Sequence, residues 1–266
     1  MTQTYPDHPN LNDNYAPLRM ECEVNDLIVE GEIPQDLYGS FYRNGPDPQF
    51  PPLGQYHWFG GDGMVHAFHF ENGKISYLNR WSKTSKWLQE RKAGKSLIDG
   101  LNPMNSDPQW NPEGSDGTAN TNIIFHAGKL LALEEGHVPF ELDPITLESK
   151  GAYDYGGKLK SPMTAHPKID PVSGDMYGFS YTAENFFSSK MSYFVINSLG
   201  ELKTYEEFEA PFASMVHDFM VTDQHIIFPI FPLTIDFDRV VKGQSPIAWD
   251  PDKGTHVGVM PRNGSV

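Results

Sequence analysis

Two histidines stand in segments that could place them for chemistry: His166 in TAHPK and His217 in SMVHDFMV. Imidazole is the side chain best suited to hold a transition metal or to move a proton near neutral pH. Pro167 biases His166 toward extended backbone and puts it at a strand start. Strand alternation over SMVHDFMV places His217 on one face with Met215, Phe219 and Val221. A lone polar ring on an apolar face is usually a hydrogen-bonded core residue. These two, however, lie 51 residues apart, and a propeller blade takes roughly 40–50 residues. On neighbouring inner strands they would project toward one axis, a geometry that permits a shared metal.

Glu134 and Glu135 close the apolar run LLALEEG. In alternation Glu135 shares the face of Leu131 and Leu133, and Glu134 that of Leu130 and Ala132. One of the two must therefore point inward or sit at a strand end. Two other candidates have plainer explanations. His66 and His69, in HAFH, have a spacing that would hold a metal on a helix, but in a strand it sends them to opposite faces. FGGDGM (59–64) lacks the Lys-Ser/Thr of a phosphate loop and the spaced carboxylates of an EF-hand. Tight packing of a backbone turn accounts for Gly60, Gly61 and Gly63.

The elements that would carry these residues are strands. MVHAFHFENGKISYLNRW (64–81) reads as two strands around Asn72-Gly73, a strong hairpin signal. Further turns fall at Ala127-Gly128, at Asp143-Pro144, and within 171–174, 198–200 and 222–224. Helical periodicity is nearly absent outside KTSKWLQERKAGKSL (83–97). Hairpins in series predict an all-β meander, either a sandwich or propeller blades. THVGVM (255–260) alternates like a strand and PRNGSV has turn chemistry. The last hairpin is expected to be open, and the chain to be the front part of a longer protein.

A chain of 266 residues with 24 Gly and 22 Pro has room for one large turn-rich domain or two ordinary ones. Its formal net charge of −15, with no block of lysine or arginine, argues against a nucleic-acid partner or a polybasic membrane anchor. Cys22 is the sole cysteine, so no internal disulfide can form, which fits a reducing compartment. The polar N-terminus lacks the basic start and apolar core of a signal peptide. No run approaches the ~18 apolar residues that span a bilayer. A cytoplasmic protein is expected, with FPIFPL (228–233) a candidate membrane-contact patch or a buried inner strand.

The segments FYRNGPDPQF, HWFGGDGMVHAF, GTANTNIIFHAGKLLALEEG, MTAHPKIDPVSGDMYGFSY, MVHDFMVTDQHIIFPIFPL, SPIAWDP and VGVMPRNG together resemble the carotenoid cleavage oxygenase family, which also contains the lignostilbene dioxygenases. The resemblance implies an all-β, seven-bladed β-propeller, with residues 1–266 a partial domain covering about its first half. It implies a non-haem Fe(II) on the axis held by four histidines, His166 the first and His217 the second. Glu135 would orient His217 from behind, and Phe59 would line the substrate tunnel. Four neutral imidazoles leave a coordination position for O2. A carboxylate accepting the far ring N–H fixes the tautomer and raises ligand basicity.

The chain also departs from the family pattern. The third and fourth histidine motifs have no counterpart, since neither His225 nor His256 stands in one. The 266-residue chain alone is therefore expected to be inactive. Lignostilbene-cleaving members carry a lysine where Glu134 stands and a tyrosine near 98–103, and both are absent. Glu134 would repel a phenolate. The expected reaction of the parent protein is O2-dependent cleavage of a conjugated C=C bond in a carotenoid, apocarotenoid or similar apolar polyene. Stilbene cleavage, a calcium-dependent lactonase and a non-catalytic binding propeller are the rivals.

Overall fold

The computed structural model describes residues 4–99 and 103–264; residues 100–102, within the segment lacking the family tyrosine, lie outside the described residues. The fold is all-β with two short α-helices among the described residues, and it divides into two compact units. The first unit runs to Phe125 and adds Lys129–Ala132 and Phe140–Gly151; the second holds His126–Gly128, Leu133–Pro139 and Ala152–Val266.

In the first unit β1 (Cys22–Val24), β2 (Gly39–Pro46), β3 (Gly63–Glu71) and β4 (Lys74–Trp81) form a sheet of order β1-β4-β3-β2. The β3–β4 hairpin turns where expected. Asn72 and Gly73 have φ of 53° and 72°, the left-handed pair whose twist matches that of its flanking strands. Gly63 is needed for a different reason: a Cβ there would stand 2.2 Å from the Ala119 carbonyl oxygen. FGGDGM is thus a tightly packed backbone turn. His66 Nδ1 lies 2.8 Å from the Tyr77 hydroxyl and His69 Nδ1 2.7 Å from Ser40 Oγ, so each ring has its own local partner.

The expected helix is α1 (Ser85–Ala93), shorter than its sequence window. The Thr84 hydroxyl accepts the Trp87 N–H at its start, and left-handed Gly94 ends it. α1 seats Lys86 between Asp62 at 2.8 Å and Glu90 at 2.9 Å, with all three side chains at most 7% exposed. The next sheet has the order β5-β6-β7-β8, from β5 (Asn122–His126), β6 (Lys129–Leu133), β7 (Phe140–Leu142) and β8 (Ser149–Ala152). Val65, Leu78, Leu130, Ala132, Phe140 and Leu142 pack into one core.

In the second unit β9 (Lys168–Ile169), β10 (Met176–Ser180), β11 (Lys190–Ile196) and β12 (Leu202–Glu209) run consecutively and antiparallel. That is the four-stranded meander of a propeller blade. Then come β13 (Met220–Val221), β14 (His225–Ile230), β15 (Leu233–Ile235), α2 (Phe237–Val241), β16 (Ile247–Trp249) and β17 (His256–Pro261). They form a sheet of order β13-β14-β17 and a two-stranded β15-β16 sheet.

Two expectations need correction here. α2 gave no sequence signal, because five residues are too few for an amphipathic repeat. THVGVM is β17, the strand its alternation predicts, and it pairs with β14 from His225↔Pro261 to Ile230↔His256. Pairing across the β15–α2–β16 insertion leaves no local trace. SMVHDFMV is not one strand: Ser214 bridges Thr234, the β13 ladder starts only at Met220, and alternation fails between them, with Val216 and Phe219 buried and His217 and Asp218 exposed. In FPIFPL, Phe228 and Ile230 join the core with Phe179, Tyr193 and Phe219, and only Phe231 is exposed. The stretch spans the end of β14 and the start of β15. No helix among the described residues is long and apolar enough to cross a membrane.

Candidate metal centre

His166 and His217 occupy equivalent places, each just upstream of the first strand of its sheet. Thr164 anchors the first. Its N–H donates to the Phe179 carbonyl (2.7 Å) and its hydroxyl accepts the His166 N–H (3.0 Å), while Pro167 keeps the backbone extended. The second is held by its buried neighbours Val216 and Phe219 and by Asp218, which accepts the Phe219 N–H (2.8 Å) and Lys168 Nζ (2.7 Å). Lys168 opens β9, so this ion pair ties the segment of one histidine to that of the other.

The two Nε2 atoms face each other at 3.1 Å. Glu135 Oε1 sits in a very short contact with Nδ1 of His217, and Oε2 accepts the Tyr181 hydroxyl at 2.6 Å. A carboxylate can only accept here, so the His217 proton is on Nδ1 and the lone pair is on Nε2. Glu135, His166 and His217 bring ligand atoms within 4.8 Å of one another, and no other such group of three occurs among the described residues. Glu135 bonds the nitrogen that faces away from His166, so it does not complete the pair. Two nitrogens each about 2.1 Å from one ion lie about 3 Å apart when their bonds meet near a right angle. The observed separation fits that, and it also suits an N–H···N bond between two neutral rings. Neutral imidazoles suit zinc, copper, iron or nickel.

The electrostatics keep each group in its role. Burial raises the Glu135 carboxyl above its usual range, opposed by the Tyr181 hydrogen bond and the nearby His217. Burial, reinforced by His217, lowers the His166 pKa and favours the neutral ligand form. Burial and then the Glu135 charge push Tyr181 well above the ordinary phenol range, so its hydroxyl remains a donor.

The other expected site residues are not members of this cluster. β6 ends at Leu133, so both glutamates lie past the strand end. The Glu134 carboxylate accepts the Gly136 N–H at 2.9 Å and lies 2.5 Å from His137 Nδ1, closing its own turn. Phe59 belongs to the first unit, in a 3-10 turn over Trp58–Gly60. It is 60% exposed and lines a cleft of about 460 Å³ with Tyr15, Arg43 and Trp58. His225 and His256 are exposed and outside the cluster. Tyr181, Lys168 and Asp218 escaped sequence reasoning. Their only signal was proximity: Lys168 and Asp218 flank the histidine motifs, and Tyr181 ends an aromatic strand.

A family model described as retinal pigment epithelial membrane protein matches residues 15–266. Isoeugenol monooxygenase of Pseudomonas nitroreducens is 42% identical over 260 residues, a match covering 96% of this chain and 54% of that protein. The crystal structure of Pseudomonas brassicacearum lignostilbene dioxygenase superposes with a TM-score of 0.93 at 40% identity, covering 99% of this chain and 55% of that one. A variant of Synechocystis apocarotenoid oxygenase gives 0.79 at 30% identity, covering 95% and 56%. The chain spans about half the length of the curated relatives it matches.

Proposed function

Since the chain belongs to the carotenoid oxygenase family, we propose that it supplies half of the metal site of a non-haem Fe(II) oxygenase that cleaves a conjugated C=C bond to carbonyl products. The observation that carries this reading is the facing Nε2 pair at 3.1 Å, with Glu135 fixing the tautomer of one ring. Fe(II), when bound, would supply the activation of O2 beside the alkene. His166 and His217 would hold it through neutral Nε2 atoms. Glu135 holds the Nδ1 proton of His217 and keeps that ring from turning.

For the substrate we favour an aryl-substituted alkene, because similarity in sequence and backbone is greater to the isoeugenol and lignostilbene oxygenases than to the apocarotenoid oxygenase. The polyene reading rested on Glu134 confronting a phenolate. With its carboxylate engaged by Gly136 and His137, that objection weakens. The residue still keeps the second reading alive, since it stands where stilbene-cleaving members carry lysine.

The test uses a form extended to the length of the relatives, assayed side by side on isoeugenol, a 4-hydroxystilbene and an apocarotenoid. His166→Ala and His217→Ala should each abolish iron retention and turnover. Glu134→Lys should raise kcat/KM for the phenol by offering a charge-assisted hydrogen bond, typically ~1.5–3 kcal/mol. Normal turnover by His217→Ala would sink the ligand assignment. Apocarotenoid cleavage without phenol turnover would restore the polyene reading.

A further inference from the structure

Glu135 lies beyond the last paired residue of β6, so strand geometry does not set its side chain. A glutamate has three rotatable torsions, and a single contact to His217 would leave the carboxylate free to swing about it. The second contact removes that freedom. Tyr181 reaches Oε2 at 2.6 Å while Oε1 holds His217. The tyrosine is itself well fixed: it follows β10, is 7% exposed, and its ring belongs to the core cluster of Phe179 and Tyr193. A phenol has only two torsions, so its hydroxyl is presented from a stiff base. The order is thus rigid core, phenol, carboxylate, imidazole.

We propose that Tyr181 is a positioning residue of this centre: its hydroxyl locks the Glu135 carboxylate in the orientation that turns His217 Nε2 toward His166. The role is exerted through Glu135 and involves no contact with substrate or metal. Its metal readout rests on the ligand reading given above; its geometric readout does not.

The test compares the full chain with Tyr181→Phe, Glu135→Gln and the double variant. The first readout is the proton resonance of His217 Nδ1–H by NMR in metal-free protein. The second is Co(II) affinity together with the visible spectrum of the bound ion. Tyr181→Phe should displace the Nδ1–H resonance, change the Co(II) spectrum and weaken binding about 3–10-fold, less than the 10–100-fold typical of losing a direct ligand partner. In the Glu135→Gln background the same change should add less than about 2-fold, because a residue acting through another has nothing left to act on. Tyr181→Phe removes only a hydroxyl, and circular dichroism verifies that the fold is kept. An unmoved resonance, or equal factors in both backgrounds with a lowered Tm, would reduce Tyr181 to a packing residue and overturn the proposal. A displaced resonance in a chain that binds no Co(II) would uphold the positioning role and remove the metal reading instead.

Discussion

The first unit buries Lys86 between Asp62 and Glu90, and the second half-buries Glu135 between Tyr181 and His217. Both take charged groups out of water, and they end differently. Around Lys86 the network closes on itself. Asp62 also accepts the Gln49 N–H (3.0 Å), and Glu90 accepts the Leu97 N–H (2.8 Å) and the Ser96 hydroxyl (3.1 Å). Burial works against the ammonium, yet the two carboxylates prevail and hold the Lys86 pKa above its usual value. The Glu135 chain instead runs outward to an imidazole whose side chain is 55% exposed and whose Nε2 faces a second histidine. A closed ionic network specifies a fold. One that stops at an accessible lone pair can hold a further group.

The contrast can be broken most directly at Lys86. Replacing it with methionine strands two buried carboxylates, and the expected loss is about 3–5 kcal/mol. Urea unfolding measures it; a loss below about 1 kcal/mol would mean the network is not closed as described. Co(II) affinity of the folded protein should stay unchanged.

The reciprocal experiment is Glu135→Gln. It should weaken metal binding about 10–100-fold while leaving the urea midpoint nearly where it was. If the midpoint falls and the affinity holds, the two regions have exchanged roles.

A smaller effect should come from Asp47, which is buried in the first unit and accepts the Leu18 N–H at 3.0 Å. Burial pushes its carboxyl up to about 6, with the Asp62 charge adding to the rise. A folded pKa above the unfolded value means the folded state binds this proton more tightly. Stability from Asp47 therefore grows as pH falls through about 6, saturates below about 4, and is missing at pH 7.5. Asp47→Asn imitates the protonated form. It should raise stability at pH 7.5 by about 1–2 kcal/mol and flatten the pH dependence between 7 and 5. An unchanged slope would show that the carboxyl titrates normally.

Much of the scaffold was legible in the chain because turn chemistry is local. Asn72-Gly73 and the helical window over 83–97 each declare themselves within a few residues. His217 was harder. Its neighbours alternate like a strand, but the ladder that would enforce alternation begins only at Met220. The partner of β17 was not legible, because β14 lies beyond an insertion with its own small sheet and helix.

The sequence by itself determined the order of hairpins and the all-β class, and it singled out the two histidines proposed as metal ligands, because backbone preferences and donor types are properties of single residues and close neighbours. Only the tertiary structure decided that Glu135 faces His217 while Glu134 turns to His137, and that Tyr181 stands behind Glu135. The bonds that join these groups span 82 residues from Glu135 to His217 and 46 from Glu135 to Tyr181. Two adjacent glutamates have the same chemistry. Which of them meets an imidazole depends on how distant strands bring the chain together.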